Sequence, residues 1–312
     1  MSRTATGRGR GRHWLRRAIG PVTALIVLVV VGYRLRNLDW PAVADALTGY
    51  SATDLVAAVA IALPALAAVA AYDLIGRHAT AHEIPVPRTM LISFTGYFFS
   101  LNLGAILGGL ALRFRLYMPY RLEAIAIGQI IALSVLTNWS GFALIAGGVL
   151  ALAPPDISAL TPVGPALLRL TGIVLLLVTA AFLTACALKG GTVIHIRGTK
   201  ITLPTLPIAW VQIGLSCANW AAIAGIIAWL LPDVGWLAVV PVLMASAIAG
   251  IWSHVPGGLG VTEAVFVTLL AAHASEPELL AAILVFRVIY YFVPLIAALG
   301  GFAYLELSAR DA

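Results

Sequence analysis

Charge is scarce in this sequence. Asp, Glu, Lys and Arg make up 10% of the 312 residues, against about 25% in soluble globular chains. Apolar residues make up 61% and the mean hydropathy is +1.00, so a water-soluble domain of any size is excluded and the chain reads as an integral membrane protein. Cysteine is almost absent. Cys186 and Cys217 both fall in apolar runs, which excludes a disulfide framework or a cysteine metal cluster and suits small buried hydrophobes. No GxxxxGK[ST] phosphate loop, H-E-x-x-H, C-x-x-C or G-x-S-x-G motif occurs, so no ATP motor, metal or other cofactor, and no catalytic residue, is expected.

The few charges that are present are unevenly placed. Arg3, Arg8, Arg10, Arg12, Arg16 and Arg17 crowd the first 17 residues and abut the apolar run 18–31. An RNA-binding arm would look similar, but a basic segment against an apolar run is the pattern of a cytoplasmic anchor. No nucleic-acid partner is expected. Gly32-Tyr33-Arg34 offers no small-residue cleavage site, so the first span reads as uncleaved.

A helix needs about 20 apolar residues to cross a bilayer. The clear candidates are 15–33, 54–76, 124–152, 168–188, 207–231 and 279–306, with two irregular apolar regions at 89–112 and 235–272. The basic segment 189–204 alternates like a small β-hairpin with a Gly-Thr turn, and the nearly uncharged APPDISALTPVGP (153–165) suits the outside. If 89–112 were an ordinary span, Arg113, Arg115 and Arg121 would face outward against the positive-inside rule. If it instead dips in and returns, and 235–272 dips from the outside, all of the 19 Lys and Arg except Arg34, Arg36, Arg169 and Arg287 fall on the cytoplasmic side. The expected fold is therefore an all-α polytopic membrane protein. It has about six transmembrane helices and two re-entrant helical hairpins. A basic tail (1–14), one transmembrane domain (15–306) and a short tail (307–312) follow in order, both termini cytoplasmic. GGLALR from Gly108 echoes GGLGVTE from Gly257, and LSVLTNW (133–139) echoes LSCANW (215–220). These echoes suggest two halves of opposite orientation, a transporter design that places a site near the midplane.

HVPGGLGVTEAVF (254–266) is where chemistry concentrates. Pro256 ends one helix, and Gly257, Gly258 and Gly260 permit positive φ and close backbone approach. A helix restarting near Val261 or Thr262 would aim its amide end into the membrane interior, which favours an anion. Glu263, in that first turn, is either a capping acid or a buried charge needing a cation. Arg287 lies deep in its own span and is either a phosphate ligand or gating residue or half of a structural ion pair. Arg113 closes the first irregular region. Tyr290 and Tyr291 beside Arg287 either line a cavity or pack. Asn102, Asn138 and Asn219 read as interhelix hydrogen-bonders. Asp73 is as readily a capping or solvated acid as a site residue, and His254 could be proton-sensitive, though a lone His here is more often a hydrogen-bonded structural residue.

The order of SFTGYFFSLNLGAILGGLALRFRLY, HVPGGLGVTEAVF and FRVIYYFVPL over about 15–306 resembles the membrane region of the lysylphosphatidylglycerol synthase/flippase (MprF) family, in its stand-alone, YbhN-like branch of bacterial inner-membrane proteins. The resemblance implies movement of phospholipid or lipid-linked molecules between leaflets. It also implies no synthase activity, because the soluble transferase domain of the bifunctional members has no counterpart here. The lipid-binding candidates are Arg113, Glu263, Arg287, Gly257, Gly258, Gly260 and Tyr290. Two other classes stay open: a membrane-embedded enzyme using Glu263 and His254, and a partner-dependent scaffold docking through 189–204. Nothing in the sequence sets an oligomeric state.

Overall fold

The computed structural model describes residues 40–104, 109–155, 164–196 and 199–310. The basic tail, the first expected span at 15–33, Gly108 of the first echo and most of 153–165 lie outside the described residues. Within them the chain is helical apart from one small hairpin. A short helix α1 (Trp40–Thr48) precedes α2 (Ala52–Thr80), α3 (Val86–Leu103), α4 (Leu112–Tyr117), α5 (Ala124–Leu152) and α6 (Pro165–Lys189). Strands β1 (Val193–Ile196) and β2 (Thr199–Thr202) pair antiparallel, Val193 opposite Thr202 and Ile196 opposite Thr199. There follow α7 (Leu206–Leu230), α8 (Trp236–Ser253), α9 (Val261–Leu270), α10 (Glu276–Arg287) and α11 (Val293–Arg310).

Among the described residues six helical stretches are long and apolar enough to cross a membrane: α2, α5, α6, α7, α8 and the continuous run from α10 into α11. Five coincide with expected spans. The sixth, α8, was expected to be irregular. Its break comes late because the glycines cluster only after Ser253, and Pro241 alone does not end it. α11 continues through the expected C-terminal tail to Arg310.

The bundle is held by close packing of small residues, as an apolar solvent demands. Ala58, Ala62, Ala65, Val69, Tyr72 and Gly76 follow each other at helical spacing on one buried face of α2. That face lies against α7 and α5. A Cβ on Gly76 would sit 2.6 Å from Ile130 Cα, so α2 and α5 approach backbone to backbone there. On α6 the outward face is the reverse: Leu167, Leu170, Ile173, Val174, Leu177 and Val178 are all exposed. An apolar face of that size belongs against lipid.

Charge sorts the two ends of the bundle. Arg77 Nε donates to Ile84 O at 2.8 Å, Arg115 pairs with Glu306, and Gly191, Leu203 and Thr205 line a small cavity with Ile75, His78 and Ala79. The 81–85 loop, the α4–α5 connection, the β-hairpin and the end of α11 therefore share one end, which is basic. At the other end Tyr50 Oη donates to Leu230 O (3.0 Å) and Trp229 Nε1 to Asp54 O (3.2 Å). Among the described residues Arg169 is the one Lys or Arg at that end.

The two irregular regions are both chain reversals. α4 returns along α3, with Arg113 against Gly96 and Ser93. α9 returns along α8. The first hairpin opens toward the basic end and the second toward the opposite end. Their tips meet where the 256–258 turn packs on α3. One echo is corrected by this geometry. LSVLTNW and LSCANW lie side by side on α5 and α7, with Thr137 bonded to Gln212 and Gly141 to Ser216. Those helices run in the same direction, so this pair is a packing seam and not part of an inverted repeat.

Candidate functional site

The break after α8 is written in its backbone. His254 takes φ 56, Val255 is extended, Pro256–Gly258 form a 3-10 turn, and Gly257, Gly258 and Gly260 have φ of 64, 58 and 76. Three left-handed residues in four positions need glycine, since a Cβ there costs about 1–2 kcal/mol each. The result is a tight reversal that leaves the carbonyls of Gly257 and Gly258 facing inward.

Arg287 fills that reversal. Its Nη1 donates to Gly257 O (2.8 Å) and its Nη2 to Gly258 O (3.0 Å). Nε and Nη2 also donate to the two oxygens of Glu263, at 2.5 and 3.1 Å. Four bonds occupy three nitrogens in the fork geometry that suits a carboxylate or phosphate. The Tyr291 ring lies 5.1 Å beneath the guanidinium, a cation–π contact. The anion at the start of α9 is thus the protein's own Glu263, and the turn offers carbonyls to a cation rather than amides to an anion. Arg287 is 3% exposed in its side chain and Glu263 13%, so Glu263 is the more reachable partner.

Sequence also explains why Arg287 sits where it does. Pro294 has no N–H and clashes with the preceding turn, and the helix absorbs this as a π segment over Val288–Phe292. That extra residue per turn puts Arg287, Tyr290 and Tyr291 at a bulge. Asn102 from the tip of α3 donates to Phe98 O (2.8 Å) and reaches Tyr291 O (3.5 Å). Tyr290 does not touch Arg287's ion pair. Its hydroxyl donates to Asn219 Oδ1 (2.6 Å) and lies 3.4 Å from the Tyr97 hydroxyl. Around it Tyr72, Tyr97, Phe98 and Phe286 form a buried aromatic belt. The Asn138 backbone carbonyl accepts from Ser216 and Trp220, tying α5 to α7.

Arg113 is elsewhere. It is buried against Gly96, where a Cβ would collide with its Nε. Nη1 donates to Ser134 Oγ (3.0 Å) and lies 3.4 Å from Asp73 Oδ1. Asp73 is fully buried and accepts from Tyr117 Oη at 2.9 Å, so it is neither a cap nor solvated. Arg113 and Arg287, both lipid-binding candidates, have no partner in common and form no joint cradle in this conformation. His254 is exposed and bonds locally to Trp252 O. Sequence reasoning left Asp73 and Tyr291 open between site and structural roles, and it passed over Tyr117 and Tyr97. For Asp73 a signal existed: an acid inside an apolar span needs a cation partner.

The profile of the family described as "Lysylphosphatidylglycerol synthase TM region" matches residues 17–298. The inner membrane protein YbhN of Escherichia coli K12 is 37% identical over 290 residues, covering 92% of this chain and 90% of that protein. An uncharacterised protein of Synechocystis is 30% identical over 306 residues, covering 93% and 92%. The phosphatidylglycerol lysyltransferase of Staphylococcus epidermidis is 33% identical over 90 residues, which are 27% of this chain and 11% of that enzyme.

Proposed function

Because this chain belongs to the lysylphosphatidylglycerol synthase transmembrane-region family, we propose that it moves phospholipid or lipid-linked molecules between the leaflets of a bacterial inner membrane, with no ATP motor and no covalent chemistry. The basic end of the bundle is cytoplasmic in this reading, as the positive-inside rule requires. The two hairpins are then re-entrant, one from each side, in the manner of inverted-repeat transporters. The inner membrane location follows that of the E. coli relative, an inner membrane protein.

One observation carries the proposal: a bidentate Arg287–Glu263 pair sits where the two interrupted helices meet, inside a largely apolar bundle. Non-helical backbone at membrane depth is tolerated where it is buried in protein or lines a wet cavity. An intramembrane charge pair at such a point is a functional site by default. A lipid phosphate has the charge and the fork geometry of the Glu263 carboxylate, so it can replace Glu263 on Arg287. Glu263 is then free to meet a cationic head group, while acyl chains stay in lipid. Arg113, already held by Asp73 and Ser134, joins only after a rearrangement. The resting pair neutralises Arg287 while the site is empty.

The test is translocation of head-group-labelled phospholipids in proteoliposomes by the wild type, Glu263→Gln and Arg287→Ala. Transport by the wild type and its loss in both variants is the expected result. Equal transport by all three would remove this site from the mechanism.

A further inference from the structure

We propose that the carbonyls of Gly257 and Gly258, the Glu263 carboxylate and the Tyr291 ring form a binding site for a primary ammonium group, and that the Arg287 guanidinium is its resting occupant. The cation site stands on its own geometry; that the ammonium belongs to a lipid head group in transit rests on the translocase reading above.

The four oxygens aimed at Arg287 are all acceptors. Gly257 O and Gly258 O lie 2.8 and 3.0 Å from Nη1 and Nη2, and the two Glu263 oxygens lie 2.5 and 3.1 Å from Nε and Nη2. They come from the 256–258 turn and the first turn of α9, whereas Arg287 reaches them from α10. The acceptor set therefore belongs to the break in the helix and not to the arginine's own helix. The guanidinium carbon lies 5.1 Å from the centroid of the Tyr291 ring. An aromatic face attracts an ammonium as it does a guanidinium.

The surrounding backbone favours positive charge as well. α8 ends at Ser253, just before the turn. α3 ends at Leu103 and packs on the turn, with Leu101 O 3.8 Å from where a Cβ on Gly257 would stand. Both are helix C-termini, whose dipoles and free carbonyls favour cations. Unwound carbonyls and half-helix C-termini are the groups that hold cations in broken-helix transporters. The site is also within reach of lipid. Gly257 and Gly258 are half-buried, Glu263 is 13% exposed, and Trp252 and Leu259 beside them are exposed.

This chemistry selects among head groups. When a lipid phosphate draws Arg287 away, four acceptors lose their N–H donors and Glu263 loses its counter-charge. A primary ammonium brings three N–H donors and one positive charge. A head group carrying both a phosphate and a primary amine, as in phosphatidylethanolamine, thus exchanges one ion pair for two and leaves no buried charge alone. A choline head group has the charge but no N–H, so the acceptors stay unpaired inside the membrane, which is costly. A glycerol head group has no positive charge and leaves Glu263 uncompensated.

The test is thermal unfolding of the full chain in one detergent. Arg287→Ala lacks the resting occupant, so ethylammonium chloride should raise its midpoint saturably. Tetramethylammonium chloride at the same ionic strength should not, and the double variant Arg287→Ala/Glu263→Gln should respond to neither. A second arm keeps Arg287. Dihexanoyl phosphatidylethanolamine should raise the wild-type midpoint more than the phosphatidylcholine or phosphatidylglycerol of the same chains, and Glu263→Gln should abolish that preference. The proposal is overturned if the two ammonium salts act alike on Arg287→Ala, if the double variant responds as Arg287→Ala does, or if the wild type does not prefer the ethanolamine lipid. Where Arg287→Ala does not fold, the second arm decides alone. No lipid movement is read, so a failed translocation assay leaves a positive result standing, and a failed midpoint shift leaves the translocase reading standing.

Discussion

Arg287 and Glu263 stand 24 residues apart in the chain and meet through two hydrogen bonds across the break in a membrane helix. The same arginine holds the two turn carbonyls that the break exposes. One side chain therefore serves both as counter-ion and as the clasp of an irregular segment, and any ligand that takes it from Glu263 loosens the turn as well.

Removing one partner should hurt more than removing both. Arg287→Ala leaves Glu263 and two carbonyls unpaired at depth, which costs about 3–5 kcal/mol for a broken buried pair. Glu263→Gln keeps the shape and a hydrogen bond, and costs less. The double variant should lose less than the sum of the singles, with a coupling of roughly 0.5–3 kcal/mol. Thermal unfolding of the four proteins in one detergent measures it, and strict additivity would contradict the pairing.

The turn glycines make a separate claim about backbone. Gly258→Ala and Gly260→Ala each place a Cβ at positive φ and should cost about 1–2 kcal/mol. Gly260→Asn should be milder, since asparagine tolerates that region. Equal unfolding midpoints for the Ala and Asn variants at Gly260 would mean that conformation is not the reason for glycine there.

Much of this was legible in the residues. Five spans, the β-hairpin and the restart at Val261 follow from hydropathy runs, alternation and the Pro-Gly cluster, all of which are local signals. The partners were not legible, because Asp73–Arg113 and Tyr290–Asn219 join residues 40 and more apart, and nothing local in either member names the other. The amide-end reading of 254–266 failed for a related reason. It weighed the dipole of the new helix and named Glu263 in its first turn, but nothing local shows that Arg287 would take both Glu263 and the carbonyls of Gly257 and Gly258. The α8 boundary was missed because the Pro-Gly cluster at 256–260 was taken to make the whole of 235–272 irregular.

Gly96 should behave as a positioning residue for Arg113. A methyl group there collides with the Arg113 side chain, so Gly96→Ala must push the guanidinium away from Ser93 and Ser134. Gly128→Ala is the control, because a Cβ at that helical site meets nothing within 4 Å. It should be neutral or stabilise by up to about 1 kcal/mol. If Gly96→Ala unfolds at the same temperature as Gly128→Ala, Arg113 is not held as described.

His82 gives the bundle a pH dependence of known sign. Burial, followed by Arg77, lowers its folded-state pKa below the unfolded value of about 6.5. In the window between those two values the unfolded chain binds the proton and the folded chain does not, so stability rises with pH and is lost on acidification. The His82→Gln variant has no such group. The stability of the wild type relative to the variant should therefore shrink as the buffer is taken down through the ordinary histidine range and stay level above it. Apparent unfolding midpoints of both proteins across that range supply the measurement. Parallel curves would mean that His82 is as free to ionise in the folded chain as in the unfolded one. The Nε2 beside Tyr117 would then be open to water rather than sealed between the 81–85 loop and α4.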